Sequence, residues 1–433
     1  MSTTSDLAVT GGRALIGPDE HRPWPEITPA DRRAVAAVLE RGVLAGPNAP
    51  EIRALEEEYA AYTGARYCLA TNAGTSSLHA ALAAVGVRPG GEVIVPAYTF
   101  VASAFAAIHQ GAEPVFCDVD PRTFTLDSTL VEALITDRTQ AIMAVHAHGQ
   151  PADMAELAAV AERHGVPVVE DNSQAHGIRY RGRTTGSLSE ASGASVNHSK
   201  NLPAGEGGLF TTDDEDRYHV VRRMILYGED VPADAPRPYW SHGVGWNYRG
   251  QEMVCALARS QLRRLDEHNT RSQDNAARLS GGLRGMAGVE TPYVHHDRGS
   301  SFWKYHLLLH PEELGFDGDP RDLRDGVMRA LRAEGVEVST WQPQPVPAQP
   351  VFRRRTQVWR PDTEAEPARP WDSDAFPVAS RICATGLSLG TMWRPLYVQE
   401  PELMDRYVLA VEKVFANLDR VLSVPFRPYP RPT

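Results

Sequence analysis

Cysteine is scarce in this chain: the 433 residues contain four, Cys68, Cys117, Cys255 and Cys383, with no C-x-x-C pair and no metal-ligand spacing. A disulfide framework or a structural zinc as the organising feature is thereby excluded, and no metal site is expected. Long apolar runs are missing too. Nothing approaches the roughly 20 apolar residues of a membrane helix, and Met1 to Arg22 is polar where a secretory signal would be apolar. A soluble, cytoplasmic protein with no membrane partner is the expectation. Positive charge is in deficit, 44 Lys and Arg against 55 Asp and Glu for a formal net charge of -11. That argues against non-specific nucleic-acid binding, which needs a positive field to displace phosphate counterions. The one basic cluster, Arg353-Arg354-Arg355, reads as a solvated loop.

What is present reads as an ordinary globular chain, long enough to bury a large core. Residues 1–25, rich in Gly, Ser, Thr and Asp, read as a flexible tail. Thr28-Pro29-Ala30-Asp31 then opens a helix, with Thr28 as N-cap, Pro29 in the first turn and Asp31 placed to complete a capping box. A second helix fits Glu51 to Tyr62. From Tyr67 to about Phe210 short apolar strands alternate with amphipathic helices. The strands are Tyr67–Thr71, Glu92–Pro96, Pro114–Asp118, Ala141–His146, Pro167–Asp171, Gly193–Asn197 and Gly208–Thr212; the helices include Thr75–Val85, Val101–His109 and Asp153–His164. Such alternation, with strands apolar on both faces, predicts an α/β fold whose mostly parallel sheet is flanked by helices and binds ligands at the carboxyl ends of its strands. Glu252 to Leu283 reads as one long helix linking two domains, and Trp341 to Pro370 as a Pro-rich surface loop. Further on, Tyr305–His310 and Glu337–Thr340 read as strands, and Asp322–Glu334 and Pro401–Val421 as helices. The expected division is a tail (1–25), a large α/β domain (26–270) and a smaller C-terminal α+β domain (271–433).

Two stretches carry chemistry. Glu170-Asp171-Asn172-Ser173-Gln174 closes an apolar strand with an acid, and Ser195-Val196-Asn197-His198-Ser199-Lys200 runs into Gly205-Glu206-Gly207-Gly208. A carboxylate at a strand end and an amine near glycines are what pyridoxal phosphate requires. The acid keeps the pyridine nitrogen protonated, and the amine forms the Schiff base. Gln174, three residues beyond Asp171, can reach the ring hydroxyl, and Ser195 can offer a hydroxyl to the phosphate. Asn72-Ala73-Gly74-Thr75-Ser76-Ser77-Leu78 follows a strand and opens a helix, a natural phosphate seat, although an ordinary capped helix reads the same way.

These segments, together with Val95-Pro96-Ala97-Tyr98-Thr99-Phe100-Val101-Ala102-Ser103, Pro114 to Asp120 and Gly245-Trp246-Asn247-Tyr248-Arg249, resemble the sugar and cyclitol aminotransferases of the DegT/DnrJ/EryC1/StrS family. The resemblance runs over nearly the whole chain from about residue 24. It implies a fold-type I pyridoxal phosphate transferase with a pyridoxamine phosphate intermediate. It makes Lys200 the Schiff-base lysine and proton shuttle, Asp171 the partner of the ring nitrogen and Gln174 that of the ring hydroxyl. Gly74, Thr75, Ser76 and Ser195 would hold the phosphate, and Phe100 would stack on the ring, although a core aromatic is the ordinary reading of such a residue. Asn247 would reach the phosphate of a neighbouring subunit, so that a homodimer is the working unit. Lys200 stands where dehydratase relatives carry His, which argues for amino transfer.

Two departures do not touch catalytic groups: Pro203 replaces a usual Thr or Ser, and Val196 a usual aromatic. A third concerns the substrate, because Trp341-Gln342-Pro343-Gln344-Pro345-Val346-Pro347 replaces the tyrosine and histidine common in nucleotide-sugar members. Phe302-Trp303-Lys304-Tyr305 and Ala384 to Gly390 are more similar to the glutamine:scyllo-inosose aminotransferase and 3-amino-5-hydroxybenzoate synthase branch. The acceptor implied is a keto-cyclitol or related cyclic keto-sugar of secondary metabolism, with L-glutamine or L-glutamate as donor; a nucleotide-linked ketosugar is the alternative. His146, His148, Tyr305 and Trp341 are candidate substrate contacts, with a structural role equally open for the histidines and tyrosine. A non-catalytic regulatory or assembly protein is the competing class, but it has no chemical reason to keep Asp171, Gln174, Ser195 and Lys200 together.

Overall fold

A computed structural model describes residues 6–232, 237–354 and 373–425. Its large sheet contains β1 (Tyr67–Thr71), β2 (Glu92–Pro96), β3 (Glu113–Cys117), β4 (Thr139–Val145) and β5 (Val168–Asp171). A small ribbon, β6 (Arg179–Tyr180) with β7 (Arg183–Thr184), precedes the last two strands of the large sheet, β8 (Ala191–Ser195) and β9 (Gly208–Thr212). The order across the sheet is β1-β9-β8-β5-β4-β2-β3. β9 runs antiparallel to both its neighbours, and the other pairings are parallel.

Period-two alternation explains why these strands are apolar throughout. Val93, Val95, Met143 and Val169 face one helical layer, while Ile94, Val115, Ile142 and Val168 face the other. Each strand is therefore buried on both sides, as a helix-covered parallel sheet demands. The topology also decides where a site can form. Because β1, β2, β4, β5 and β8 point the same way, their last residues, Thr71, Pro96, Val145, Asp171 and Ser195, come to one edge.

The second sheet holds β10 (Val289–Glu290), β11 (Tyr305–Leu309), β12 (Val338–Ser339) and β13 (Gly386–Leu389), all antiparallel, in the order β10-β11-β13-β12. Leu307, Leu323, Val327, Met404 and Val411 build its core with helices Pro320–Ala333 and Pro401–Phe415. Sequence reading passed over β13 because Gly386-Leu387-Ser388-Leu389 is short and begins with glycine.

Several expectations need correction. Residues 6–25 are not a flexible tail: Leu7 and Ile16 are buried in the second core, and Trp24 packs with Trp303, Tyr397 and Val398. Their backbone is tied down as well, Ala8 N–H donating to Glu334 Oε1 at 2.8 Å and Trp24 N–H to the Trp393 carbonyl at 2.8 Å. Three anchors spaced eight or more residues apart give no periodic signal, so composition misled. The expected helix 252–283 is two, Glu252–Leu262 and Leu265–Leu283, separated at Arg263-Arg264. The strand expected over Gly193–Asn197 lies at Ala191–Ser195, and the last helix breaks after Phe415. The stretch from Trp341 does not run over the surface, since Val346, Pro347, Ala348 and Phe352 are buried and Val346 N–H donates to the Ala97 carbonyl at 2.8 Å. Residues 355–370 of that stretch, and the side chains of the Arg353–Arg355 cluster, lie outside the described residues. The Thr28 helix start stands as read, with Thr28 Oγ1 accepting from Asp31 N–H at 3.3 Å and Asp31 Oδ2 accepting from Thr28 N–H at 2.7 Å.

Candidate active site

Asp171 ends β5, buried at the strand-end edge. Its Oδ2 accepts the Ser103 hydroxyl at 2.7 Å and its Oδ1 the Ser173 N–H at 3.1 Å. Since a carboxylate only accepts and the Ser103 proton is committed to it, the 2.9 Å contact between Thr99 and Ser103 has Thr99 as donor. A hydroxyl chain from the loop after β2 thus orients the carboxylate. Ser103 sits one turn from Phe100, which is 55% exposed and so is not a core aromatic.

Gln174 is held in one orientation. Its Oε1 accepts the backbone N–H of His148 at 2.7 Å, which leaves the amide NH2 to donate elsewhere. That backbone contact is made by a residue in the left-handed region, His148 at φ 55°, a conformation non-glycine residues adopt at a cost.

The helix Gly74–Ala84 begins without a side-chain cap: Ala73 is its N-cap and its first turn has no acid. Its first N–H groups are therefore open to an anion. Ser195, at the end of β8, lies against this helix start so closely that a Cβ on Gly74 would stand 2.5 Å from Ser195 Cβ. Only glycine permits that approach. Ser195 Oγ accepts the Asn197 N–H at 3.2 Å, and Ser76 donates its hydroxyl to Asn72 Oδ1 at 2.7 Å.

Lys200 lies in a loop zipped between β8 and β9, where Val196 N–H donates to the Gly207 carbonyl at 3.0 Å and His198 N–H to the Gly205 carbonyl at 2.8 Å. Gly205 and Gly207 turn this loop with φ of 94° and 143°. Burial pulls the Lys200 amine down to about 8, against the opposing pull of the Asp171 and Glu206 charges. Its Nζ stands 4.3 Å from the centre of the Trp303 ring, which is itself fixed by an Nε1–H donated to the Ser199 carbonyl at 2.8 Å. Trp341 packs edge-on to Trp303, Tyr98 and His148, with ring centres 5.6, 5.0 and 4.8 Å away, so the substrate-loop tryptophan stands near the lysine.

Two expected substrate contacts are not there. His146 is fully buried; its Nδ1 accepts the Ala152 N–H at 3.1 Å, which obliges Nε2 to carry the proton it donates to Glu170 Oε1 at 3.0 Å. Both ring nitrogens are spent on the scaffold. Tyr305 is likewise fully buried in the second core, its hydroxyl 2.9 Å from Ser280 Oγ. Asn247 is exposed beside the helix start, its Oδ1 accepting from Arg249 Nε at 2.9 Å. Sequence reading missed Ser103, Glu206 and Trp303 as parts of the site. Ser103 was visible in the Val95–Ser103 segment, three residues past Phe100, while nothing local announces that Trp303 reaches Lys200 from a distant stretch of the chain.

A buried carboxylate at a strand end, an amine depressed by burial, and an uncapped helix start with a glycine–serine contact fit pyridoxal phosphate. They define a fold-type I pyridoxal phosphate aminotransferase. A sequence profile of the DegT/DnrJ/EryC1/StrS aminotransferase family matches residues 25–391, and the chain belongs to that family. It is 42% identical over 305 residues to the L-glutamine:2-deoxy-scyllo-inosose aminotransferase of Streptomyces fradiae, covering 66% of this chain and 71% of that protein. It is 40% identical over 283 residues to the GDP-perosamine synthase of Caulobacter vibrioides, covering 65% of this chain and 73% of that one. The crystal structure of 3-amino-5-hydroxybenzoic acid synthase superposes with a TM-score of 0.81 at 28% identity, covering 93% of this chain and 100% of that one. Its relatives are thus sugar and cyclitol aminotransferases. Among the described residues no helix is long and apolar enough to cross a membrane.

Proposed function

We propose that this chain moves the amino group of L-glutamine or L-glutamate onto a keto-cyclitol or related cyclic keto-sugar in secondary metabolism, as a homodimer in the cytoplasm. The observation that carries the substrate class is the aromatic wall over Lys200. Trp303 and Trp341 stand at 82° to one another, a shape that accepts a compact ring with C–H groups on its faces better than an extended chain. The resemblance to a scyllo-inosose aminotransferase supports the same class.

Asp171 would hold the ring nitrogen, Gln174 would donate to the ring oxygen, and Gly74, Thr75, Ser76 and Ser195 would hold the phosphate. Phe100, exposed one turn from Ser103, would stack on the ring. Bound pyridoxal phosphate supplies the electron sink that makes the donor α-proton acidic. Lys200 Nζ would hold the cofactor and, as the free amine beside the donor, would take the proton from the donor α-carbon. In the second half-reaction the same amine returns a proton to the carbon that was the acceptor's ketone. The oxo acid leaves after the first half, the amino-cyclitol after the second. Asn247 is assigned to the partner's phosphate, and exposed Tyr239, Trp240 and Val244 on its segment, 77, 68 and 91% accessible, are the apolar surface a second subunit would cover.

The test is a screen of the pyridoxamine-form enzyme against keto-cyclitols and nucleotide ketosugars, following recovery of the pyridoxal absorption. Turnover of keto-cyclitols alone supports the reading. Turnover only of nucleotide-linked ketosugars, the class suggested by the GDP-perosamine synthase relative, overturns the acceptor and leaves the reaction class standing.

A further inference from the structure

Lys304 is 7% exposed, yet none of the hydrogen bonds or ion pairs among the described residues involves its Nζ. The side chain is buried but its ammonium is not sealed from solvent, and a lysine so placed is ordinarily paired. Here the one charge that acts on it is that of Lys200, which repels it. Its Nζ stands 5.1 Å from the centre of the same Trp303 ring that covers Lys200. The surrounding histidines bring no compensation: His148 and His306 stack on each other at 4.7 Å, and burial plus the Lys304 charge hold both below the ordinary histidine value. Lys304 lines a narrow pocket of about 20 Å³ with Arg122, His148, Phe124, Phe302 and His306, and no acidic residue faces it. That volume is room for a single oxygen atom or water. Arg122 lies at its exposed side, its guanidinium 3.6 Å from the centre of the Tyr293 ring and without a carboxylate partner among the described residues. Phe124, His148 and Phe302 all have left-handed backbones, φ 61°, 55° and 45°, a concentration of strain that occurs at ligand sites.

We propose that Lys304, with Arg122 beside it, is the subsite that receives the carboxylate of the amino donor and so selects α-amino acids over simple amines. The assignment rests on the reading of Lys200 as the amine that carries the chemistry: a donor whose nitrogen is at Lys200 must place its carboxylate nearby, and the Trp303 ring ties the two cations to one place. An anionic group on the keto acceptor has the same chemistry, and the two sources are separated below.

The experiment uses the holoenzyme and its Lys304→Met and Lys304→Arg variants. Half-reactions with L-glutamate and L-glutamine are followed by loss of the pyridoxal absorption, with n-butylamine as an amine lacking a carboxylate. Binding of glutarate, a dicarboxylate lacking an amine, is measured by calorimetry. The expected result is a rise of about 10- to 100-fold in half-saturating donor for Lys304→Met, the loss of one charge-assisted contact, partly restored in Lys304→Arg. Cofactor absorption and the n-butylamine response stay as in wild type, and glutarate binding weakens in parallel. Arg122→Gln, an exposed change that leaves the fold alone, weakens glutarate a few-fold. Unchanged donor dependence in Lys304→Met, or an equal effect on n-butylamine, overturns the proposal. So does an effect confined to the keto acceptor reacting with the pyridoxamine form, which reassigns the anion. If Lys304→Met does not fold, wild-type enzyme that binds no glutarate overturns it alone. A wild-type enzyme that binds glutarate through Lys304 but gives no half-reaction with any amino acid sinks the aminotransferase reading and not the subsite.

Discussion

Replacing Lys304 by methionine in the cofactor-free protein should stabilise it. Methionine keeps the length of the side chain and removes the ammonium. Burial, with the nearby Lys200 charge, lowers the Lys304 amine to about 8 from the ordinary lysine value of 10.5. A proton held that much more weakly in the folded than in the unfolded chain costs about 3 kcal/mol wherever both states are protonated, which is below about pH 8. The sign follows from linkage. Between pH 8 and 10.5 the unfolded chain carries more protons, so wild-type stability climbs with pH, and above 10.5 the penalty is gone. Lys304→Met should therefore exceed wild type by about 3 kcal/mol at pH 7, an increase of about 3 °C in melting temperature for a chain of this size, and the margin should shrink steadily toward pH 10. Thermal and urea melts of both proteins at matched protomer concentration across that range are the assay. A variant less stable at pH 7, or a margin that does not change with pH, would refute the picture of Lys304 as an unpaired buried cation.

Other expectations follow from the same contacts. Asp171→Asn should lower kcat by about 10²- to 10³-fold with secondary structure intact by circular dichroism; near-normal turnover would remove Asp171 from the chemistry. Ser103→Ala withdraws a hydrogen bond to a charged group worth about 1.5–3 kcal/mol and should lower kcat by 10-fold or more without moving KM for the donor. His146→Phe should leave KM for both substrates unchanged and cost about 1–3 kcal/mol of stability by leaving the buried Ala152 N–H without its acceptor, whereas a selective KM effect would restore His146 as a substrate contact. Leu7→Ala should destabilise by about 2–5 kcal/mol in urea melts, while a flexible tail would show nothing. Asn247→Ala should weaken retention of pyridoxal phosphate on dialysis if Asn247 serves the partner's site, and an active monomer by sedimentation would contradict the dimer.

The parts of the fold legible in sequence were those with local signals. Val93-Ile94-Val95 and Ile142-Met143-Ala144 announced strands buried on both faces, and Thr28-Pro29-Ala30-Asp31 announced a helix start. Asp171 and Gln174 were legible for the same reason, because a strand end followed by polar residues places them on the ligand edge. Contacts made over long sequence distances were not. Ser103 meets Asp171 from 68 residues away, Trp303 reaches the Ser199 carbonyl across 104, and Ala8 meets Glu334 across 326. His146 illustrates the opposite error. A histidine at the end of a strand looked like a substrate contact, and only the Ala152 N–H and Glu170 carboxylate show that it is committed to the scaffold.

A half-buried and a buried lysine near one tryptophan, both with amines brought down to about 8, make the central claim sharp, since either amine is chemically able to hold an aldehyde. Borohydride reduction of the holoenzyme followed by peptide mass mapping decides between them. The account predicts the phosphopyridoxyl group on Lys200 alone, with no label in Lys200→Ala; label on Lys304, or none on Lys200, would contradict it.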